Sequence, residues 1–212
     1  MSVCNRNLPV GSSRRIAPLV LGGGLLLLTV LLMAGTARAD VVTGTYTGDG
    51  SSNRVITGLG LTPSAVIIKS DGAEHALIRT QDMPVFSSRR IAGGEGLLLD
   101  RIHTVVGQSF HIGAHPDVNE AGRQYWYVAI SEEPGRVAAG GYMGNAMSPR
   151  EIGGLGLAPD MVLLVPHNTA PCRFRTASMP GTDSVPLGDD SANDDSLLEL
   201  TAGGFVVSGG SD

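Results

Sequence analysis

Aromatic side chains make up only 4% of the 212 residues, and cysteine occurs twice, as Cys4 and Cys172. So few aromatic rings leave little material for a sugar-stacking surface. Two cysteines exclude a disulfide-stapled scaffold. No window carries a convincing 3.6-residue apolar period, which excludes a coiled coil or helical bundle. Acidic residues are absent from the first 39 positions. All 20 of them follow, against 11 basic residues in 40–212, a net charge of about −9 that argues against a nucleic-acid partner. What is present is 42% hydrophobic residues with 30 glycines, the composition of a loop-rich globular chain too apolar for disorder.

The amino terminus carries Arg6, Arg14 and Arg15, then a nearly unbroken apolar run from Ile16 to Gly35, then Thr36-Ala37-Arg38-Ala39. Charge, apolar core and small residues at a cleavage point form a secretory signal, so residues 1–39 are read as a signal peptide with the mature chain starting at Asp40. The apolar run also has the length of a bilayer span. Uncleaved, it would anchor the protein through residues 16–35, although Gly22, Gly23 and Gly24 weaken that helix. Ser13-Arg14-Arg15 hints at twin-arginine export, but the very apolar core favours the general route. Either route predicts a secreted or cell-surface protein. Removal of Cys4 would leave Cys172 without an intramolecular partner. In a strand beside Phe174, it reads as a small buried hydrophobe.

Sliding the chain along itself by 96 residues lays Tyr46–Pro84 over Tyr142–Pro180 without a gap. Matches include Tyr46/Tyr142, Arg54/Arg150, Gly58-Leu59-Gly60-Leu61 over Gly154-Leu155-Gly156-Leu157, Val66/Val162, Arg79-Thr80/Arg175-Thr176 and Met83-Pro84/Met179-Pro180. After one deletion Phe110 falls on Phe205 and Asp117 on Asp212. A fixed period of this kind signals duplicated structural units. The second copy is incomplete. It has no counterpart of Val118–Ile130, including the QYWYVAI run whose alternation marks a core strand, and that loss predicts an open sheet edge. Three explanations stand: a fragment of a longer repeat protein, which is preferred, a strand supplied by another subunit, or one larger sandwich made by both copies.

Short β-rich runs punctuated by glycine, proline and aspartate predict an all-β fold. The first repeat, 40–133, is expected to hold strands at Val41–Thr47, Arg54–Thr57, Ala65–Ser70, Ala76–Thr80, Leu97–Val106, Ser109–Gly113 and Gln124–Ser131. The second, 134–212, is expected to hold them at Gly140–Tyr142, Arg150–Gly153, Met161–Val165, Arg173–Thr176, Leu197–Leu200 and Phe205–Ser208. Seven short strands with regular turns in the first unit, and six in the second, point to an antiparallel β-sandwich or jelly-roll-like module. The glycines of the two GLGL motifs suit a tight turn into a buried strand, and no helix follows to make them a phosphate loop. The motif series, Arg-x-Ile-x-Gly-Leu-Gly-Leu-x-Pro, Arg-Thr-x-x-Met-Pro, Asp-Val-Asn and Tyr-x-Tyr-Val-Ala, resembles a tandem module of large secreted bacterial surface proteins. More loosely, it resembles segments of phage tail fibres. The resemblance spans nearly all of Val41–Asp212. It implies a β-sandwich, extracellular placement and repetition, generally without assigned catalysis, and it supplies no binding residues.

Sites for chemistry are sparse. Tyr125, Trp126 and Tyr127 are the best aromatic surface for a glycan, but strand alternation sends Trp126 to one face and the tyrosines to the other. Asp189, Asp190, Asp194 and Asp195 form an acidic loop, and Asp117 with Asn119 forms a second oxygen-rich loop. Both offer the ligand type calcium requires, while a solvated loop and an Asx turn are the plainer accounts. His111 and His115 would need a turn to join Asp117 around an ion. Cys172, His167 and Asp160 occur in a workable catalytic order without any sign that they converge. Arg89 and Arg90 sit at about the repeat position of the acidic loop, a pairing that would steer adjacent modules together. The expected function is a non-enzymatic β-sandwich repeat acting as a structural or adhesion module, with adjacent repeats or itself as partner. A lectin-like domain, binding surface glycans with calcium, is the alternative.

Overall fold

A computed structural model describes residues 41–188 and 195–209, all within the unit Arg38–Asp212. The amino-terminal segment, including 16–35, and Asp189, Asp190 and Asp194 lie outside the described residues. The fold is nearly all β. Its strands are β1 (Val41–Thr47), β2 (Arg54–Thr57), β3 (Ala65–Ser70), β4 (Leu77–Thr80), β5 (Ser87–Arg90), β6 (Leu98–Leu99), β7 (Ile102–Val106), β8 (Ser109–Ile112) and β9 (Gln124–Ile130). They continue as β10 (Arg150–Ile152), β11 (Met161–Leu164), β12 (Arg173–Thr176), β13 (Val185–Pro186), β14 (Leu197–Thr201) and β15 (Gly204–Val207). One four-residue helix, α1 (Pro116–Asn119), precedes β9.

Six strands form one sheet in the order β1-β9-β3-β4-β5-β6, and β2-β8-β7 form a second sheet. All pairings are antiparallel. The sequence of β3, AVIIKS, shows why a strand forms here: β-branched residues fill alternate positions, and Val66, Ile68 and Ser70 bury while Ala65, Ile67 and Lys69 stay half-exposed. β9 lies between β1 and β3 and buries Tyr125 and Ala129. Tyr46, Val66, Ile68, Leu77, Tyr125 and Ala129 from the large sheet form one core cluster with Ile56, Ile102, Phe110 and Ile112 from the smaller one. Tyr46 stacks on Tyr125 with centroids 5.0 Å apart and planes 11° from parallel, and Phe110 meets Tyr127 edge-on at 5.2 Å. The Tyr127 ring lies directly over Gly44, where any side chain would overlap it.

Two further three-stranded sheets follow, β11-β12-β13 and β10-β15-β14. Their orders match β3-β4-β5 and β2-β8-β7, and the registers match as well: Arg54 pairs with Ile112 and Arg150 with Val207. Val162, Leu197, Phe205 and Val207 form their core, with Tyr142, Ile152, Leu155, Leu164 and Leu200 packed partly buried around it. Both GLGL turns need left-handed backbone. Gly58 and Gly60 have φ of 80° and 71°, and Gly154 and Gly156 have 81° and 69°.

The structure departs from the sequence reading at several points. The strand expected over 97–106 breaks into β6 and β7, because Asp100 turns left-handed at φ 60° and donates its backbone N–H to Phe86 O at 3.1 Å. Ser87–Arg90 forms β5 although its polar sequence hides any alternation, since Ser87, Ser88 and Arg89 are buried. Gly140–Tyr142 forms no strand: among the described residues no strand lies beside it as β9 lies beside β1. β13 and α1 were not anticipated.

Candidate functional site

β9 separates its three aromatic residues. Tyr125 is fully buried, and its hydroxyl donates to Pro116 O at 2.5 Å and accepts from Glu120 N at 2.8 Å. Tyr127 packs inward on Phe110. Trp126 alone points out, 48% exposed, flanked across the strands by Thr45 and Lys69. The Lys69 ammonium is turned to the carbonyls of Ser70 and Gly72, each at 2.7 Å. The trio therefore offers one exposed indole rather than a platform of three rings.

Asp117 and Asn119 are both buried, and each is committed to protein partners. The Asp117 carboxylate accepts from Arg90 Nη2 at 3.0 Å and Arg101 Nε at 3.4 Å. His115 caps α1 through Nδ1, which accepts from Asp117 N at 3.1 Å, and Arg101 Nη2 lies 2.8 Å from its Nε2. Burial first, and then the Arg101 charge, push the His115 pKa down. A carboxylate neutralised by two guanidinium groups has no unmet demand for a cation. Asn119 uses its whole amide. Oδ1 accepts from Asp49 N and Arg54 Nη1 at 3.0 and 3.1 Å, and Nδ2 donates to Asp49 Oδ1 and Ser51 O at 2.9 and 2.8 Å. Neither side chain makes the local Asx turn expected from the sequence. Asn119 instead ties α1 to the β1–β2 loop about 70 residues away.

Asp195, the described member of the acidic loop, accepts from the Thr182 hydroxyl at 2.7 Å. His103 is buried, 3.0 Å from Asp100 Oδ1 and 3.3 Å from Asn53 Oδ1, with Phe86 edge-on to its ring at 4.9 Å. Half-exposed His111 stays on β8, beside Val55 and Thr104. Among the described residues, no three His, Cys, Asp or Glu side chains gather as a metal site. Cys172 is buried with Sγ 3.7 Å from Arg90 O, and desolvation pushes its pKa up, which disfavours the thiolate a nucleophile needs. His167 and Asp160 are exposed.

The arginines hold a part that the sequence did not reveal. Arg79, 2% exposed, donates to Pro84 O at 2.8 Å, Met83 O at 3.0 Å and Ser87 O. Ninety-six residues on, Arg175 donates to Met179 O at 3.5 Å, Gly181 O and Asp183 O. Arg54 lies over the Tyr46 ring at 5.2 Å and donates to Thr47 O, while Arg150 lies over Tyr142 at 5.5 Å and donates to Met143 O. Arg89 is fully buried and donates to Glu95 O and, across to the β11–β12 loop, to Asn168 O and Ala170 O. Arg89 is thus an internal clamp on carbonyls, and Arg90 is paired with Asp117 and Glu95.

Among the described residues, one shallow cleft of about 390 Å³ lies beside Asp160, Arg175 and Glu199, and another of about 280 Å³ beside Val137, Leu155 and Gly156. Sequence reasoning also missed an exposed apolar patch. Val85, Phe86 and Leu99 are each more than half exposed around the β5–β6 hairpin, and Phe86 is left-handed at φ 65°. No helix among the described residues is long and apolar enough to cross a membrane. The chain matches no protein-family model, no curated protein and no solved structure.

Proposed function

We propose that this chain is a secreted, non-enzymatic protein built from two copies of one β-sandwich module, serving as a structural or adhesive element at a cell surface. The observation that carries the reading is the pair Arg79 and Arg175. Each buried guanidinium gathers the carbonyls of the loop that follows its own strand. The two Arg–Tyr stacks and the four left-handed glycines of the GLGL turns support it in the same way. Residue types that often carry chemistry are spent on holding backbone, which suits a module whose work is to be folded and linked. Burying a guanidinium is costly unless it is met by acceptors, so its recurrence at a fixed spacing speaks for a structural requirement. Export rests on the charge, apolar run and cleavage pattern of residues 1–39.

A lectin-like reading keeps one specific support, the exposed indole of Trp126 beside Thr45 and Lys69. A glycan and cell-surface array, run in calcium and again in chelator, separates the two. The module reading expects no calcium-dependent glycan signal and no change in any binding for Trp126→Ala. A glycan bound in calcium and lost in Trp126→Ala would replace it with the lectin. Fractionating bacteria that express the full chain tests export, because protein held in the cytoplasm with residues 1–39 intact would sink that part.

A further inference from the structure

β11 is paired with β12 on one side, and among the described residues no strand pairs with its other edge. Ala177 N donates to Asp160 O at 2.8 Å, so by the alternation of an antiparallel ladder Val162 and Leu164 turn their amide and carbonyl groups to β12. Those of Met161 and Leu163 face the open edge. The equivalent edge of β3 is occupied: β9 pairs there, with Ile130 opposite Ala65, Val128 opposite Ile67 and Trp126 opposite Lys69. β9 also pairs with β1 on its far side.

The second half keeps the pieces that would flank such a strand. Val137–Met143 corresponds in repeat position to β1 and, beyond the single bridge of Val137 to Glu133, pairs with no strand among the described residues. It is nevertheless held in place, with Tyr142 under Arg150 and edge-on to Phe205 at 6.1 Å. The cleft of about 280 Å³ is lined by Val137, Ala138, Leu155 and Gly156. Their repeat counterparts are Val41, Val42, Leu59 and Gly60. In the first half Leu59 belongs to the core cluster that includes Ala129 of β9, and Val42 packs against it. A half-buried Leu155 and a 59% exposed Met161 stand where the first half has a 2% exposed Leu59 and a half-buried Ala65.

We infer that the edge of β11 is an acceptor site for an extended strand of the β9 kind, one with large apolar and aromatic side chains at alternate positions, inserted between β11 and Val137–Met143. The inference rests on reading the two halves as copies of one module and names that module's partner. Main-chain hydrogen bonds to Met161 and Leu163 supply affinity, and alternate side chains entering the cleft and stacking on Tyr142 supply selection. The donor residue equivalent to Val128 lies opposite Leu163, and the one equivalent to Tyr125 lies beside Tyr142. An unpaired, apolar edge is otherwise an aggregation liability.

The test uses the full-length protein and a synthetic peptide of residues 123–131 as probe. The expected result is saturable one-to-one binding that slows exchange of the Met161 and Leu163 amides at least about tenfold. A peptide N-methylated at the residues corresponding to Trp126 and Val128, whose amides face β3 in the first half, is expected to lose that binding. So is the intact peptide tested against Leu163→Pro. The methylated peptide keeps the test sound if the proline variant fails to fold. Unchanged exchange with saturating peptide would overturn the inference, as would equal binding of the methylated peptide. Edge-to-edge association of two full-length molecules through β11 that the peptide does not displace would overturn it as well. Failure of the peptide leaves the Arg79 and Arg175 comparison untouched, so this inference and the module reading fail separately.

Discussion

The segments 41–133 and 134–209 use the same turns and the same buried arginine yet differ in how much they bury. In the first, β9 stands between β1 and β3 and brings Tyr125 and Ala129 into a cluster that runs through both sheets. Among the described residues of the second, four buried side chains form the core, Leu155 and Leu164 are only partly covered, and the two sheets have three strands each. Local hydrogen bonding therefore repeats without the central strand, whereas depth of core does not. Turns and carbonyl clamps are specified within a few residues of themselves. A hydrophobic core depends on how many strands meet over it.

Core truncations should expose that contrast most strongly. Phe110→Ala empties a fully buried site and is expected to cost about 3–5 kcal/mol, with Phe205→Ala costing less by at least about 1 kcal/mol because its surroundings are already open. Chemical denaturation of both variants checks this, and equal losses would break the comparison. Next, Arg79→Met leaves several buried carbonyls without their donor and should cost roughly 2–3 kcal/mol, against roughly 1–2 for Arg175→Met. Arg89→Met removes the clamp on Asn168 and Ala170 and should split thermal unfolding into two calorimetric transitions, at a loss of about 1–2 kcal/mol. A single transition unmoved in temperature would mean that the halves are coupled elsewhere.

Acid should weaken the first half in two steps. The folded pKa of His115 lies below its ordinary 6.5, so the unfolded chain takes up the proton first, and stability falls as the pH drops through about 6.5. His115→Gln should flatten that step. The carboxylates of Asp49 and Glu74 are held at about 2, Asp49 first by its hydrogen bonds from Ser51 and Glu74 first by its own backbone N–H, then by Ser70 and Arg123. Their contribution is present above the ordinary carboxylate range and is lost as the pH falls from about 4 to about 2. The smallest effect belongs to Trp126→Ser, an outward change expected to move stability by no more than about 0.5 kcal/mol.

Much of this was legible in the residues. Alternation marked β1, β3 and β9 closely, the GLGL motifs marked their turns, and the split of Tyr125 and Trp126 to opposite faces followed from a period of two. β5 was hidden because Ser87, Ser88 and Arg89 look like a surface loop, and their burial depends on β4 and β7 closing over them. The clamp formed by Arg89 was equally hidden, since two of its three acceptors lie about 80 residues away and all are main-chain oxygens that leave no mark in the side-chain sequence. Asp117 and Asn119 looked like free oxygen ligands for the same reason: Arg90, Arg101 and Asp49 meet them only in the folded chain.

The most direct measurement is residue-resolved hydrogen exchange on the full-length protein, comparing Ile67 in β3 with Leu163 in β11. These amides hold the same repeat position, one facing β9 and the other facing the open edge. The account predicts strong protection at Ile67 and exchange near the loop rate at Leu163. Equal protection at both would mean that β11 is already paired, and the contrast between the two halves would fall.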